Sequence, residues 1–466
     1  MAGRRISRYP ACVSVQESGG TAAPGAADDS AVTGVDLAIE RAGGAGPVRE
    51  VLLLCWRDSG HPQGGGSERY LEQVGEQLAR RGVRVTLRTA GYPGAPARGR
   101  LGSIGVSRGG GRITVYPRAL AAIALGRIGV GPLRGARPDV IVDTQNGIPF
   151  FAALVAGAPV AVLVHHCHKE QWPVAGRALG RLGWWLESVA SPRLHRRRQY
   201  LTVSLPSAEE LETLGVEGER IAVVRAGLDP VPAAVTPGCA VSRTAHPSLV
   251  VLSRLVPHKQ IEDAMYALAR LRPLMPDLRL DVIGDGWWSE PLHRHARELG
   301  VADAVTFHGH VSEEHKHRLL AQSWVHVMPS RKEGWGLVVV EAAQHEVPTV
   351  GYRGSRGLTD SVLDGVTGLL VDDREELVAA VSELVGDANL RAELGRKART
   401  RVQEFSWERS GEAFLGVLDE VAKGRRVSGL VGARPQQERP VPVIDPALAA
   451  VPVLAEASAP AVDPAR

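Results

Sequence analysis

Met328-Pro329-Ser330-Arg331-Lys332-Glu333-Gly334-Trp335-Gly336-Leu337 joins an apolar run to a second one that carries Glu341. Glycines in such a loop let a ligand approach the backbone closely. The free N–H groups where a helix would begin, near Gly336 and Leu337, favour an anion such as a diphosphate. A carboxylate can accept hydrogen bonds from neighbouring sugar hydroxyls, which suits Glu333 in the loop and Glu341 on the helix. The bland alternative is a surface loop followed by helix-face glutamates.

Leu252-Ser253-Arg254-Leu255-Val256-Pro257-His258-Lys259 presents two cations five residues apart after another apolar run. At a sheet edge, the pair would neutralise a diphosphate leaving group. In isolation the same spacing is usually a solvated face. Gly64-Gly65-Gly66 precedes an amphipathic stretch and repeats the anion logic in weaker form. Val164-His165-His166-Cys167-His168 follows a buried run. Its spacing does not match metal ligands on a helix, so a histidine there reads as a polar or acid–base group beside a substrate. His165, His166 and His168 all remain candidates for that position.

These groups need elements that hold them. Short apolar runs at 50–56, 83–87, 139–143, 159–164 and 201–204 alternate with helical patterns, and a second series follows at 249–252, 280–283, 304–307, 324–328, 349–352 and 368–371. That alternation predicts α/β architecture with parallel, doubly wound sheets, which bind ligands beyond the C-terminal ends of their strands. The Pro/Gly-rich stretch at 230–247 divides the series. The expected organisation is a disordered tail at 1–47, a first domain at 48–235, a second at 236–404, a closing amphipathic helix at 405–424 and a Pro/Ala-rich disordered tail at 425–466.

The chain has 466 residues, with 55 Lys+Arg against 51 Asp+Glu, so its formal charge is only +4. That is too small to mark a nucleic-acid binder. Cys12, Cys55, Cys167 and Cys239 are dispersed and include no CxxC pair, which fits a reducing cytoplasm. The apolar runs fall far short of the ~20 residues of a membrane-spanning helix. Arg4, Arg5 and Arg8 lack the apolar stretch of a secretory signal. The Arg177–Arg198 stretch, with Arg181, Trp184, Trp185, Arg193, Arg196 and Arg197, reads either as a solvated helix with its tryptophans packed inward or as a peripheral contact with an anionic inner membrane face.

Together these strings resemble a GT-B glycosyltransferase of the large retaining family 4. The likeness runs through Arg254…Lys259, Gly284-Asp285-Gly286, Phe307-His308-Gly309, the E-x7-E pair, Gly357-Leu358-Thr359-Asp360-Ser361 and Asp364-Gly365-Val366-Thr367-Gly368. It is looser in the first domain, through Gly64–Gly66, His165, Ser204 and Gly227-Leu228-Asp229. The resemblance implies two Rossmann-like domains facing across a cleft, with the last helix crossing back to the first domain. It implies that Arg254 and Lys259 hold the donor diphosphate, Glu333 the donor sugar and Glu341 the ribose. Further donor contacts would come from Gly65, Gly66, Gly284, Gly309, Gly334, Trp335, Gly336 and Leu337. His165 would lie by the reacting sugar, with His166 and His168 on the acceptor side. The family's usual glycine after the E-x7-E helix is Glu346 here; a left-handed non-glycine residue costs on the order of 1 kcal/mol.

The implied reaction moves a hexose from a UDP- or GDP-sugar to an acceptor hydroxyl, lipid-linked acceptors included, and retains the anomeric configuration. No Asp-x-Asp triplet is present to hold a divalent cation, so metal independence and no cofactor are expected. The alternatives are a sugar-nucleotide-binding protein without turnover and a GT-B-like epimerase.

Overall fold

The computed structural model describes residues 48–62, 64–172, 176–235 and 241–432. The tail expected at 1–47 and most of the one expected from 425 lie outside them, as do Cys12 and Cys239. The strands are β1 (Glu50–Leu54), β2 (Arg84–Thr89), β3 (Arg98–Leu101), β4 (Ile104–Arg108), β5 (Val140–Gln145), β6 (Val160–Val164), β7 (Gln199–Thr202), β8 (Ile221–Val223), β9 (Ser248–Leu252), β10 (Arg279–Ile283), β11 (Val305–Gly309), β12 (Val325–Met328), β13 (Thr349–Tyr352), β14 (Gly368–Val371) and β15 (Gly429–Leu430). The helices are α1 (Gly66–Arg80), α2 (Val115–Arg127), α3 (Arg177–Trp185), α4 (Ser191–Leu194), α5 (Leu205–Thr213), α6 (Ile261–Leu271), α7 (Ser289–Glu298), α8 (Glu313–Gln322), α9 (Leu337–Ala343), α10 (Leu358–Ser361), α11 (Arg374–Gly386), α12 (Ala388–Val402) and α13 (Trp407–Ala422).

The first sheet runs β15-β8-β7-β6-β5-β1-β2-β4-β3, and the second β11-β10-β9-β12-β13-β14. All pairings are parallel except β3 with β4 at one edge. Strands such as β1, β6 and β9 are buried along their whole length, because helices cover both faces and leave no polar side. Each order reverses beside its first strand: at β5/β1 in the first sheet and at β9/β12 in the second. Loops leaving adjacent strands diverge at such a switch point and open a crevice. The glycine loop after β1 lies at one reversal, and the Arg254 and Glu333 loops lie at the other.

The last helix joins the two halves. α13 begins at Ser406, whose hydroxyl caps Arg409 N–H, and its Phe414, Leu415 and Leu418 enter the core of the first domain. Gly411 is required there, since a Cβ would lie 2.2 Å from the Gln77 Cβ on α1. Trp335 and Val340 from the second domain join the same apolar cluster, so the interface is partly shared core.

Two local features differ from expectation or sharpen it. Residues 425–432 are ordered rather than disordered at this point of the chain: β15 extends the first sheet beside β8, and Gln199 holds Val427 through both N–H and C=O. Glu346 does adopt φ +57 after α9. Arg243 donates to its carbonyl at 2.9 Å and Arg399 to its carboxylate at 2.9 Å, which offsets the strain.

Candidate functional site

The loop after β9 is held forward by glycines behind it. Ser253 N–H donates to Ile283 O and Leu255 N–H to Asp285 O, each at 3.0 Å. A Cβ on Gly284 (φ +125) would lie 1.9 Å from Ser253 O, and one on Gly286 2.2 Å from Leu255 O. Gly284 N–H donates to Gly309 O at 2.9 Å, and Gly309 is itself left-handed at φ +65. These expected donor contacts therefore act by carrying the Arg254 loop. Arg254 stays open to solvent, yet desolvation and the neighbouring Arg57 charge lower its pKa, opposed by Glu68 and Glu333. Lys259 closes a short 3-10 turn, and its ammonium bonds the Glu333 carboxylate.

The loop after β12 sits between this cation pair and the first domain. Glu333 N–H donates to Ser355 O at 3.2 Å, and Arg331 N–H to His258 O at 2.9 Å. A Cβ on Gly334 would fall 2.7 Å from His165 O and 3.5 Å from His166 Nδ1. One on Gly65 would fall 3.5 Å from Arg254 Nε, and one on Gly66 3.3 Å from Leu337 Cδ1. Arg254, Lys259, Glu333, Gly334 and Leu337 therefore meet Gly65, Gly66 and the His165 strand end around one crevice. Gly336, at φ +93, begins α9, whose first N–H groups have no acceptor inside the helix.

Two expected donor residues are placed differently. The Trp335 ring is 3 % exposed and meets Phe405 edge-on at 4.9 Å, so only its main chain can face a ligand. Glu341 does not join the Lys259–Glu333 pair. Its carboxylate bonds Lys316 on α8 at 2.7 Å; burial raises its pKa, with Lys316 opposing and Glu313 and Asp229 adding to the rise.

The three histidines separate by their partners. His168 Nδ1 and its N–H both meet Glu187 Oε1 at 3.0 Å, and the same carboxylate accepts from Trp172 Nε1 at 2.6 Å. His166 Nε2 lies 3.0 Å from Gln171 Nε2; burial, then the charges of His168, His165, Lys332 and Lys259, depress its pKa. His165 packs edge-on to Tyr70 at 5.2 Å, and its Nε2 has no partner. Burial, with His168, lowers its pKa to about 3. It is a neutral imidazole, able to share a hydrogen bond with a sugar hydroxyl but not to supply a proton near neutral pH.

Sequence reading placed Ser204, Lys332 and Asp360 within its motifs but did not find the partners through which they clamp the crevice. Ser204 caps α5 and donates to Gly334 O at 2.6 Å, while Ser207 Oγ donates to His165 O at 3.0 Å. Lys332, 5 % exposed, reaches Glu210 across the domains at 2.5 Å. Arg356–Glu209, at 3.1 Å, and Arg225–Asp360, with Nε–Oδ2 at 3.1 Å, reinforce it. All of these pairs except Ser207–His165 lie more than a hundred residues apart, so spacing gave no signal. A separate cavity of about 680 Å³ lies between α1, the 228–231 segment, α12 and α13; its lining includes none of Arg254, Lys259 or Glu333.

The arginine-rich stretch of the first domain is amphipathic. Trp184 packs inward on the Val162–Tyr200 cluster, whereas Leu179, Leu182 and Trp185 are 53 %, 52 % and 53 % exposed. Arg177, Arg181, Arg193, Arg196 and Arg197 are exposed around them. The reading with both tryptophans packed inward thus holds for Trp184 alone. Among the described residues, no helix is long and apolar enough to cross a membrane.

Residues 241–401 match the family described as Glycosyl transferases group 1, and residues 64–231 match Glycosyltransferase Family 4. Over 286 residues the chain is 34% identical to a GDP-mannose-dependent alpha-(1-6)-phosphatidylinositol monomannoside mannosyltransferase of Mycolicibacterium smegmatis, covering 58% of this chain and 72% of that protein. Over 310 residues it is 30% identical to a glycogen synthase of Mycobacterium tuberculosis, covering 64% and 72%. Among solved structures, sucrose-phosphate synthase of Thermosynechococcus elongatus superposes with a TM-score of 0.68 at 19% identity, covering 80% of this chain and 99% of that one. The fold is GT-B.

Proposed function

The chain belongs to the group 1, family 4 glycosyltransferases, and on that premise we propose that it transfers a hexose from a UDP- or GDP-sugar to an acceptor hydroxyl, with retention and without a metal or other cofactor. The observation that carries this reading is the convergence of Arg254 and the Lys259–Glu333 pair on Gly65, Gly66 and His165 across one crevice.

Negative charge develops on the departing diphosphate as the anomeric bond breaks. Arg254 and Lys259 would stabilise it, together with the first N–H groups of α9. Lys259 is held by Glu333 in this structure, so donor binding would exchange that contact: the ammonium turns to phosphate, and the carboxylate is released to accept sugar hydroxyls. Glu341, paired with Lys316, is assigned to the ribose. His165 would bond a sugar hydroxyl as a neutral group, and an oxygen of the departing phosphate would take the acceptor proton. His166 and His168 line the acceptor side.

The relative named above as GDP-mannose-dependent makes GDP-mannose the first donor to try. The acceptor in that relative's name is lipid-borne, which favours a lipid-linked acceptor for this chain too. The exposed face of Leu179, Leu182 and Trp185, ringed by arginines, suits peripheral contact with an anionic inner leaflet. The buried free thiols of Cys55 and Cys167 fit a reducing cytoplasm. Nucleoside diphosphate release from a panel of sugar nucleotides, with and without chelator, tests the proposal. Turnover of one donor after chelation supports it; turnover only after adding Mg²⁺ or Mn²⁺ removes the metal-independent mechanism.

A further inference from the structure

Arg88, near the C-terminal end of β2, is 3 % exposed. No carboxylate among the described residues pairs with it. Its Nη1 donates to Ser107 Oγ at 3.0 Å, while its Nε has no partner. Asp58, the acidic group at this rim, is already held by Arg108 at 2.7 Å. A buried guanidinium without a counter-ion is strongly unfavourable unless something else supplies the charge.

The guanidinium is aimed at a glycine turn. A Cβ on Gly109 would lie 2.7 Å from Arg88 Nη2, and Gly109-Gly110-Gly111 leads straight into α2. The first helical bond there is Val115 N–H to Gly111 O at 2.9 Å, which leaves the N–H groups of Arg112, Ile113 and Thr114 without a helical acceptor. Arg118, in the first turn of α2, is close enough to add to the desolvation that lowers the Arg88 pKa. Just past β1, Cys55 N–H donates to Arg88 O at 3.1 Å, and Gly91 N–H donates to Gly110 O at 2.8 Å; Arg57, two residues on from Cys55, is held by Glu68 at 2.8 Å. This cationic rim therefore adjoins the β1 end that leads into the Gly64–Gly66 loop.

We propose that Arg88, Arg112 and Arg118, with the 109–114 turn, bind a phosphate group carried by the acceptor. A phosphate oxygen would give the buried guanidinium its missing counter-charge, and the turn's amides would take the remaining oxygens. This rests on the transferase reading, because it places an anionic handle on the acceptor side of the same crevice. The handle is a phosphomonoester or phosphodiester; the chemistry at the rim is common to both.

Calorimetric titration of the full chain with inorganic phosphate tests it. Two binding events are expected, one at each end of the cationic rim. Lys259→Ala should remove the donor-side event. Arg112→Ser with Arg118→Ser, both on the surface, should weaken the other by about ten-fold per guanidinium. Arg88→Met should abolish that second event with an unchanged or raised Tm, since a buried unpaired charge is lost. Competition by glycerol 3-phosphate assigns the rim to a soluble phosphomonoester. Competition by a water-soluble short-chain phosphatidylglycerol but not by short-chain phosphatidylcholine, lost in the surface double variant, assigns it to a lipid headgroup. If the double variant leaves both phosphate events unchanged, the inference is overturned. If Lys259→Ala leaves UDP and GDP binding intact while the double variant still loses phosphate, the donor assignment fails and the phosphate site stands.

Discussion

Ser204, at the start of α5 in the first domain, donates its hydroxyl hydrogen to Gly334 O in the second domain at 2.6 Å. The loop carrying Glu333 is thereby positioned by the domain opposite the one it belongs to. Ser207 bonds the same carbonyl at 3.3 Å and His165 O at 3.0 Å, so the pair ties both sides of the crevice to one helix start.

Removing these hydroxyls should therefore act on catalysis more than on folding. Ser204→Ala and Ser207→Ala are each expected to lower kcat/KM about five- to ten-fold, the effect of losing roughly 1 kcal/mol of hydrogen bonding. Steady-state nucleoside diphosphate release measures this. An unchanged kcat/KM in the double variant would remove the clamp.

Gly334→Ala probes the same contact sterically. Its Cβ would lie 2.7 Å from His165 O, closer than real atoms approach. The loop or the strand end must then shift at an overpacking cost of about 1–3 kcal/mol. The expected outcome is a loss of roughly ten- to a hundred-fold in kcat/KM, with both domains still folded by circular dichroism. Wild-type kinetics would show that the two segments are not apposed.

Acid should destabilise the protein through its buried histidines. Burial lowers the pKa values of His195, His258 and His317 to about 4, and those of His165, His326 and His345 to about 3. The unfolded chain would protonate each near pH 6.5. Between those values the unfolded state binds more protons, so stability is full above about pH 6.5 and falls as pH drops toward 4. Asp143, raised to about 6 by burial, works in the opposite direction, as do Glu72, Asp263 and Glu341, whose pKa values burial also raises, but the six histidines outnumber them. Calorimetric Tm should decline from pH 7 to pH 5; a flat profile would contradict neutral burial of these rings.

The strongest signals in the sequence were the buried strands and the loops at their ends. In the second domain, β9, β10, β12, β13 and β14 lie within a residue of the apolar runs, because strands covered on both faces leave an uninterrupted signature. β3, β4 and β8 escaped notice for separate reasons: Arg98–Leu101 is exposed at an edge, Ile104–Arg108 is buried but interrupts its apolar residues with Gly, Ser and Arg, and Ile221–Val223 is too short to show a pattern. The cation pair and Glu333 were legible because they sit next to strand ends. Trp335 was not, since nothing local says its ring turns into the neighbouring domain's core. The clamps Lys332–Glu210 and Ser204–Gly334 depend on how two domains meet, which no local pattern records.

The α3 face gives a prediction about location. Leu179→Ser, Leu182→Ser and Trp185→Ser together should abolish sedimentation with phosphatidylglycerol vesicles while leaving Tm nearly unchanged, because these side chains are half exposed. Binding should weaken in high salt through the surrounding arginines. Equal sedimentation of wild type and triple variant would eliminate membrane contact at this face.

The donor grip is tested most directly by calorimetric titration of UDP and GDP into wild type and Lys259→Ala. One nucleotide should bind wild type, and the variant should bind it roughly ten- to a hundred-fold more weakly, as expected for losing a charge-assisted contact to phosphate. Equal affinity in the two proteins would mean that the ammonium beside Glu333 faces no diphosphate, and the proposed transfer chemistry would be wrong.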